Sequence, residues 1–254
     1  MTEASSGPVV VITGASAGIG AALARELAGR RASLVLTARR EELLVEMAAT
    51  LGTPVEVVPG DVTRRADVER VLERALARFG AVDVWVNNAG RGITRPSVET
   101  ITPEDLDVML RDNTRSVLHG MQVVLPHFKD RGKGVLVNVS SMLSRVPDVP
   151  LRAAYSAAKA AVNSLTESLR VELARSFPGI RVVLVMPGVV ATDFGNNALG
   201  GGMDSRAIPG AQAVGAVARI VCDGLFTGPL DLYTRPESFR KVLGHLQGLG
   251  RPST

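Results

Sequence analysis

Seven short runs rich in valine and other strand-forming residues, separated by stretches long enough for helices, are the feature that most limits what this chain can become. They are VVVIT (9–13), SLVLTA (33–38), VEVV (55–58), VDVWVN (82–87), GVLVNVS (134–140), IRVVLVM (180–186) and PLDLY (229–233). Several are apolar on successive residues, as strands covered on both faces are. Parallel neighbours need crossover connections, and the segments 18–30, 41–51, 64–79, 103–128 and 152–176 are long enough to supply them as helices. The start signal is clearest in ITPEDL, with Thr102 as N-cap, Pro103 in the first turn and acids following. The repeated order predicts an α/β protein, a doubly wound parallel sheet of about seven strands with helices on both faces.

At 254 residues the chain can bury one large core. No internal repeat, low-complexity tract or linker divides it, so a single domain over 1–254 is expected. Residues 1–7 are expected to form a flexible tail. The glycine-rich stretch 193–210 is too long for a simple connection and reads either as a lid over a ligand or as an insertion without a role.

Charge and composition narrow the function classes. The net charge is only +4, and the arginine pairs at 30–31, 39–40 and 64–65 are dispersed among few aromatics, so no nucleic-acid partner is expected. A lone cysteine, Cys222, excludes a disulfide within the chain and suits a reducing compartment. Three histidines without ligand spacing leave no basis for a metal site. The apolar run near the N-terminus is about five residues, far short of the ~20 needed to span a membrane. A cytoplasmic protein without a membrane partner is expected.

The loop TGASAGIG (13–20) follows the first strand and opens the first helix. There, glycines let backbone N–H groups and the positive helix end approach a diphosphate. The spacing of Gly14, Gly18 and Gly20 is GxxxGxG, without the Lys-Ser/Thr ending of a nucleoside triphosphate loop. The same residues contain GASAG, the GxSxG elbow of a serine hydrolase with Ser16 as nucleophile. About a dozen residues precede it, too few for the loop that completes an oxyanion hole in that fold, and no histidine stands in a recognisable triad.

AAYSAAKAAV (153–162) holds a tyrosine and a lysine four positions apart in an alanine-rich helix, where side chains at i and i+4 are neighbours. A cation within ~4–6 Å favours the phenolate, so Lys159 is expected to acidify Tyr155. A solvated face bearing two polar residues is the alternative.

With TGASAGIG, DV (61–62), NNAG (87–90), the asparagine of RDNTRSVL, VNVSS (137–141), YSAAK (155–159) and PGVVAT (187–192) in this order, the chain resembles the short-chain dehydrogenase/reductase family, in its branch of about 250 residues. The resemblance implies a Rossmann fold and an oxidoreductase that interconverts a carbonyl and an alcohol. Tyr155 would be the general acid or base, with Lys159 lowering its pKa and holding the nicotinamide ribose. Ser141 would donate to the substrate oxygen, with Ser140 pointing to the other side of the strand. Asn113 would hold a water that links Lys159 to solvent.

For the cofactor, the resemblance implies that Gly14, Ser16, Gly18, Ile19 and Gly20 surround the diphosphate, and that Asp61 and Val62 meet the adenine. Asn88, Ala89 and Gly90 would line the adenosine ribose. Pro187 and Gly188 would also meet the cofactor, and the Val190 backbone and Thr192 hydroxyl would fix the carboxamide. After the second strand, LTARR has Ala38 where an acid would accept from a ribose 2′-hydroxyl, followed by Arg39 and Arg40. A guanidinium there suits a 2′-phosphate, so NADP(H) is expected over NAD(H). Ala17 replaces the basic residue of many NADP-dependent relatives, and Ser144 the glycine usual after the serine motif. A homodimer or homotetramer is implied as well, since helices 103–128 and 152–176 are apolar on more than one face. A dinucleotide-binding sensor without turnover is the reading of a different class.

Overall fold

The computed structural model describes residues 7–94 and 97–249, so the tail expected over 1–7 lies outside the described residues except for Gly7. The strands are β1 (Val9–Thr13), β2 (Ser33–Thr37), β3 (Val55–Val57), β4 (Val84–Asn87), β5 (Gly134–Val139), β6 (Ile180–Met186) and β7 (Asp231–Tyr233). They form one sheet in the order β3-β2-β1-β4-β5-β6-β7. Every pairing is parallel. The chain begins in the middle of the sheet, winds to one edge and returns to build the other half. The carboxyl ends of β1 and β4 therefore flank the reversal point, where open sheets of this kind leave a crevice.

Helices α1 (Gly18–Gly29), α2 (Glu41–Ala48), α3 (Arg65–Phe79), α4 (Pro103–Met109), α5 (Ser116–Arg131), α6 (Ala153–Ala174), α7 (Val214–Asp223) and α8 (Pro236–Leu249) connect or flank the strands. Successive strand residues face opposite layers. Val10, Ile12, Leu34 and Leu36 pack with Leu23 and Leu27 of α1 and Val217 and Val221 of α7. Val11, Val35, Trp85, Leu136 and Leu184 pack with Val71 of α3, Phe128 of α5 and Leu169 of α6. Both faces are thus apolar, which is why the strands read as continuous hydrophobic runs.

The expected helix 103–128 is three pieces. Thr102 caps α4 in a capping box with Asp105. Leu110–Arg115 then forms a π turn, from which Ser116 N–H reaches five residues back to the Arg111 carbonyl. Ser116 Oγ donates to the Asp112 carbonyl at 2.9 Å, supplying the bond that the wider turn removes. The turn carries Asn113 inward to full burial. Such insertions cluster at functional sites.

Beneath the future site a buried polar chain ties the sheet to α6. Asn87 and Asn138 are register partners on β4 and β5. Asn87 Nδ2 donates to Asn138 Oδ1 at 2.9 Å, and Asn138 Nδ2 to Thr166 Oγ1 on α6 at 3.0 Å. Satisfied buried amides of this kind fix one arrangement, because any slip strands a polar group. The helix that carries Tyr155 is held in register with the strand that ends next to Ser141.

Candidate active site

A cleft of about 1640 Å³ runs along the carboxyl ends of the strands, from the glycine loop to the amino end of α6. Of the residues singled out in the sequence, only Gly20 and Asn113 fall outside its lining. Gly20 packs beneath the loop, where a β-carbon would lie 2.4 Å from the Gly14 carbonyl oxygen. Gly14 has φ +65°, which costs a residue with a side chain strain that glycine avoids.

Several cofactor-side residues turn out to hold the loops in place. Asn88 lines the cleft while its amide is turned to the backbone of the glycine loop. Its Nδ2 donates to the Thr13 and Gly14 carbonyls at 2.9 and 3.3 Å, which pins the glycine loop to the end of β4. Asp61 accepts from Thr63 N–H and Oγ1 at 2.9 and 2.8 Å, so one carboxylate oxygen is committed to its own turn. Thr192 approaches Gly18 from the far side, its Cγ2 3.5 Å from where a β-carbon would stand. Arg40 Nη2 donates to Ser16 Oγ at 3.2 Å across the mouth of the loop. Arg39 is exposed and makes no hydrogen bond or ion pair among the described residues.

At the other end, α6 turns Tyr155 and Lys159 inward, at 8% and 3% exposure. The solvated-face alternative is excluded by that burial. Ser141, just past β5, accepts from Leu143 N–H at 3.2 Å, and its hydroxyl stands near enough to Tyr155 to favour the phenolate. Ser140 points to the opposite side, donating to Asn163 Oδ1 at 2.6 Å. Asn163 Nδ2 in turn donates to Ser144 Oγ at 2.8 Å, so Ser144 braces the turn from outside the cleft floor.

The electrostatics depart from expectation. Lys159 Nζ does not bond the phenol: it donates to the Val139 carbonyl at 2.8 Å and stands 5.8 Å from the Tyr155 ring centroid. Burial pushes the Tyr155 hydroxyl up to about 12, against the opposing effects of the Ser141 hydroxyl and the Arg152 charge. Burial also brings Lys159 down to about 8. Desolvation disfavours the charged form of both and outweighs the attraction expected from i, i+4 spacing.

The Asn113 side chain is committed to the backbone around it. Its Oδ1 accepts from Arg91 N–H at 3.1 Å and its Nδ2 donates to the Arg91 carbonyl at 2.9 Å, clamping the loop after β4. Gly90 passes between this amide and Lys159: a β-carbon there would lie 2.7 Å from Asn113 Oδ1 and 3.4 Å from Lys159 Nζ. The glycine is needed for that approach.

Residues 8–199 match the sequence profile of the short chain dehydrogenases. The chain belongs to the short-chain dehydrogenase family. An uncharacterized oxidoreductase of Staphylococcus epidermidis is 37% identical over 193 residues, covering 74% of this chain and 82% of its own length. A short-chain dehydrogenase/reductase from Burkholderia phymatum in complex with NAD superposes with a TM-score of 0.82 at 25% identity, covering 99% and 98% of the two chains. A short-chain dehydrogenase from Sphingobium yanoikuyae in complex with NADPH gives 0.80 at 30% identity, covering 97% and 98%.

In this short-chain dehydrogenase the hydrolase alternative fails, because no histidine lines the cleft that Ser16 faces. Two further residues reach the site without a sequence signal. Phe194, from the expected lid stretch, meets Tyr155 edge-on with ring centroids 5.9 Å apart. That stretch is anchored by a bridge between Ile93 and Leu199 and returns to Gln212 beside Val190. Arg152, three residues before Tyr155, lines the same end of the cleft. Among the described residues no group of histidine, cysteine or acidic side chains is arranged to hold a metal ion. No helix among them is long and apolar enough to cross a membrane.

Proposed function

We propose that the protein interconverts a carbonyl and an alcohol using NADP(H), with Tyr155 as general acid or base. The observation that carries this reading is the buried pair of Ser141 and Tyr155 in the lining of a cleft that begins at a glycine loop. A dinucleotide suits the donor set: the loop offers backbone N–H groups at a helix start, and Arg39 and Arg40 stand where its adenosine end would lie. The bound nicotinamide supplies hydride to the carbonyl carbon or takes it back from the alcohol.

The protein's own residues manage the oxygen and its proton. Ser141 donates to the carbonyl oxygen and stabilises the charge that builds on it. Tyr155, protonated at neutral pH, passes its hydroxyl proton to that oxygen; in the reverse direction it takes the proton up. Lys159, anchored on Val139, is the cation that lets the phenolate form transiently and regain its proton from solvent. Phe194 covers the tyrosine and keeps bulk water from it. Asn113 acts by holding the Gly90–Arg91 segment against Lys159.

NADP(H) is preferred on the unpartnered Arg39 guanidinium and the absence of an acid at Ala38. Cys222, reduced and buried, suits a cytoplasmic setting. Assembly as a dimer or tetramer is supported by the exposed Val171 on α6. The test is NADPH oxidation across a panel of ketones and aldehydes. Turnover that depends on Tyr155 supports the reading, and tight NADPH binding with no turnover on any of them overturns it in favour of a sensor.

A further inference from the structure

Arg152 lies in the wall of the cleft three residues before Tyr155, half-buried, its side chain without a hydrogen bond or ion pair among the described residues. The other basic groups at this end of the cleft are engaged. Arg91 donates to the Asn197 carbonyl and faces Asp112, and Lys241 pairs with Asp148. The carboxylates on this wall are also committed, Asp148 to Lys241 and Asp193 to Asn197 Nδ2 at 3.3 Å. Among the described residues Arg152 has no ion-pair partner.

Its surroundings are apolar. A β-carbon on Gly92 would be 2.8 Å from Arg152 Nη1, 3.0 Å from Phe194 Cε1 and 3.4 Å from the Ala198 β-carbon, so the guanidinium, the Phe194 edge and Ala198 all converge on that glycine. Phe194 in turn contacts Tyr155. Next to such groups a charge is poorly screened, and a guanidinium with free donors attracts an anion strongly. One guanidinium fork matches the two oxygens of a carboxylate, whereas a phosphate dianion would call for more donors than this wall offers.

We infer that the substrate is an oxo acid, whose carboxylate is held by Arg152 while its carbonyl meets Ser141 and Tyr155. The inference rests on the reading of the site as a carbonyl–alcohol oxidoreductase. The position also has a chemical consequence: the Arg152 charge opposes the upward shift of the Tyr155 hydroxyl, and pairing it with a carboxylate removes that opposition and keeps the proton on the acid.

The test uses pyruvate, acetoacetate, levulinate and 5-oxohexanoate, each against its methyl ester, with the whole protein and NADP(H). Binding is followed by thermal shift in the presence of NADP⁺, and turnover by NADPH oxidation. At the best chain length the acid is expected to bind at least tenfold more tightly than its ester, and the advantage to shrink as salt is raised. Arg152→Gln brings the acid-to-ester ratio to near one, and Arg152→Lys leaves it intermediate. Equal binding of acids and esters by the unaltered protein, or a preference that survives in Arg152→Gln, overturns the inference. Turnover of neutral ketones without an acid preference rejects only the oxo acid. Absence of turnover with an intact acid preference in binding rejects the reaction and keeps the anion site.

Discussion

Lys159 Nζ is 5.8 Å from the centre of the Tyr155 ring and gives its hydrogen bond to the Val139 carbonyl. The ammonium is therefore held beneath the phenol by the end of β5, and both groups are desolvated. Burial lowers the Lys159 pKa to about 8, from 10.5 in an exposed chain. Between these values the unfolded chain binds more protons than the folded one, so the Lys159 contribution to stability rises with pH. Tyr155, raised from 10.0 to about 12, contributes the opposite slope only above pH 10. Chemical denaturation without cofactor is expected to show up to about 2 kcal/mol of stabilisation from this lysine between pH 8 and 9.5. In Lys159→Met that increment disappears. An identical pH slope in the two proteins would mean that the lysine is solvated.

Removing the Tyr155 hydroxyl leaves the ring and its contact with Phe194, so Tyr155→Phe is expected to fold with little change in melting temperature. Its carbonyl reduction rate falls by about 10²- to 10⁴-fold, the usual contribution of a positioned acid. Ser141→Ala removes one donor to the developing oxyanion and is expected to cost about 10²- to 10³-fold in kcat. NADPH binding by either variant, measured by fluorescence, stays within a few-fold of the parent. Reduction at the parental rate by Tyr155→Phe would remove the tyrosine from the chemistry.

At the adenosine end, Arg39 has no partner among the described residues, while Arg40 is tied to Ser16. A charge-assisted hydrogen bond to a 2′-phosphate is worth about 1.5–3 kcal/mol, so Arg39→Ala should raise the KM for NADPH by about 10- to 150-fold. The KM for NADH should barely move. Ala38→Asp, which adds the acid missing after β2, should turn the preference toward NADH. Steady-state kinetics with both nucleotides decides, and an unchanged NADPH preference in both variants would place the selectivity elsewhere.

The sheet was legible because a strand buried on both faces has to be apolar on consecutive residues, as VVVIT and IRVVLVM are. Tyr155 and Lys159 were legible because helical spacing is local. Their protonation behaviour was not, since an alanine-rich helix looks the same on a surface as inside, and only tertiary packing sets desolvation. Asn113 was recognised by its motif, but its burial follows from the π turn, which the sequence of α4 and α5 does not signal. Arg152 and Phe194 come to the site through the turn before α6 and through a loop anchored by Ile93 and Leu199, neither of which has a periodic pattern. Helices α7 and α8 lie outside the segments expected to be helical, although both are amphipathic at the helical period and were legible in that sense.

Gly90 gives the sharpest test of the packing around the lysine. An alanine there would put its β-carbon 2.7 Å from Asn113 Oδ1, well inside contact distance. The amide cannot swing aside freely, because it exchanges two hydrogen bonds with the Arg91 backbone and donates a third to the Met109 carbonyl at 3.1 Å. Overpacking of this kind costs about 1–3 kcal/mol, so Gly90→Ala should lower stability by that amount. Asn113→Ala alone strands the Arg91 backbone groups and is expected to cost a similar amount. In the double variant the alanine at 113 vacates the space that the new methyl needs, so the combined loss should be smaller than the sum of the two. Denaturant melts of the four proteins measure the coupling, and strict additivity would mean that Gly90 and Asn113 do not meet.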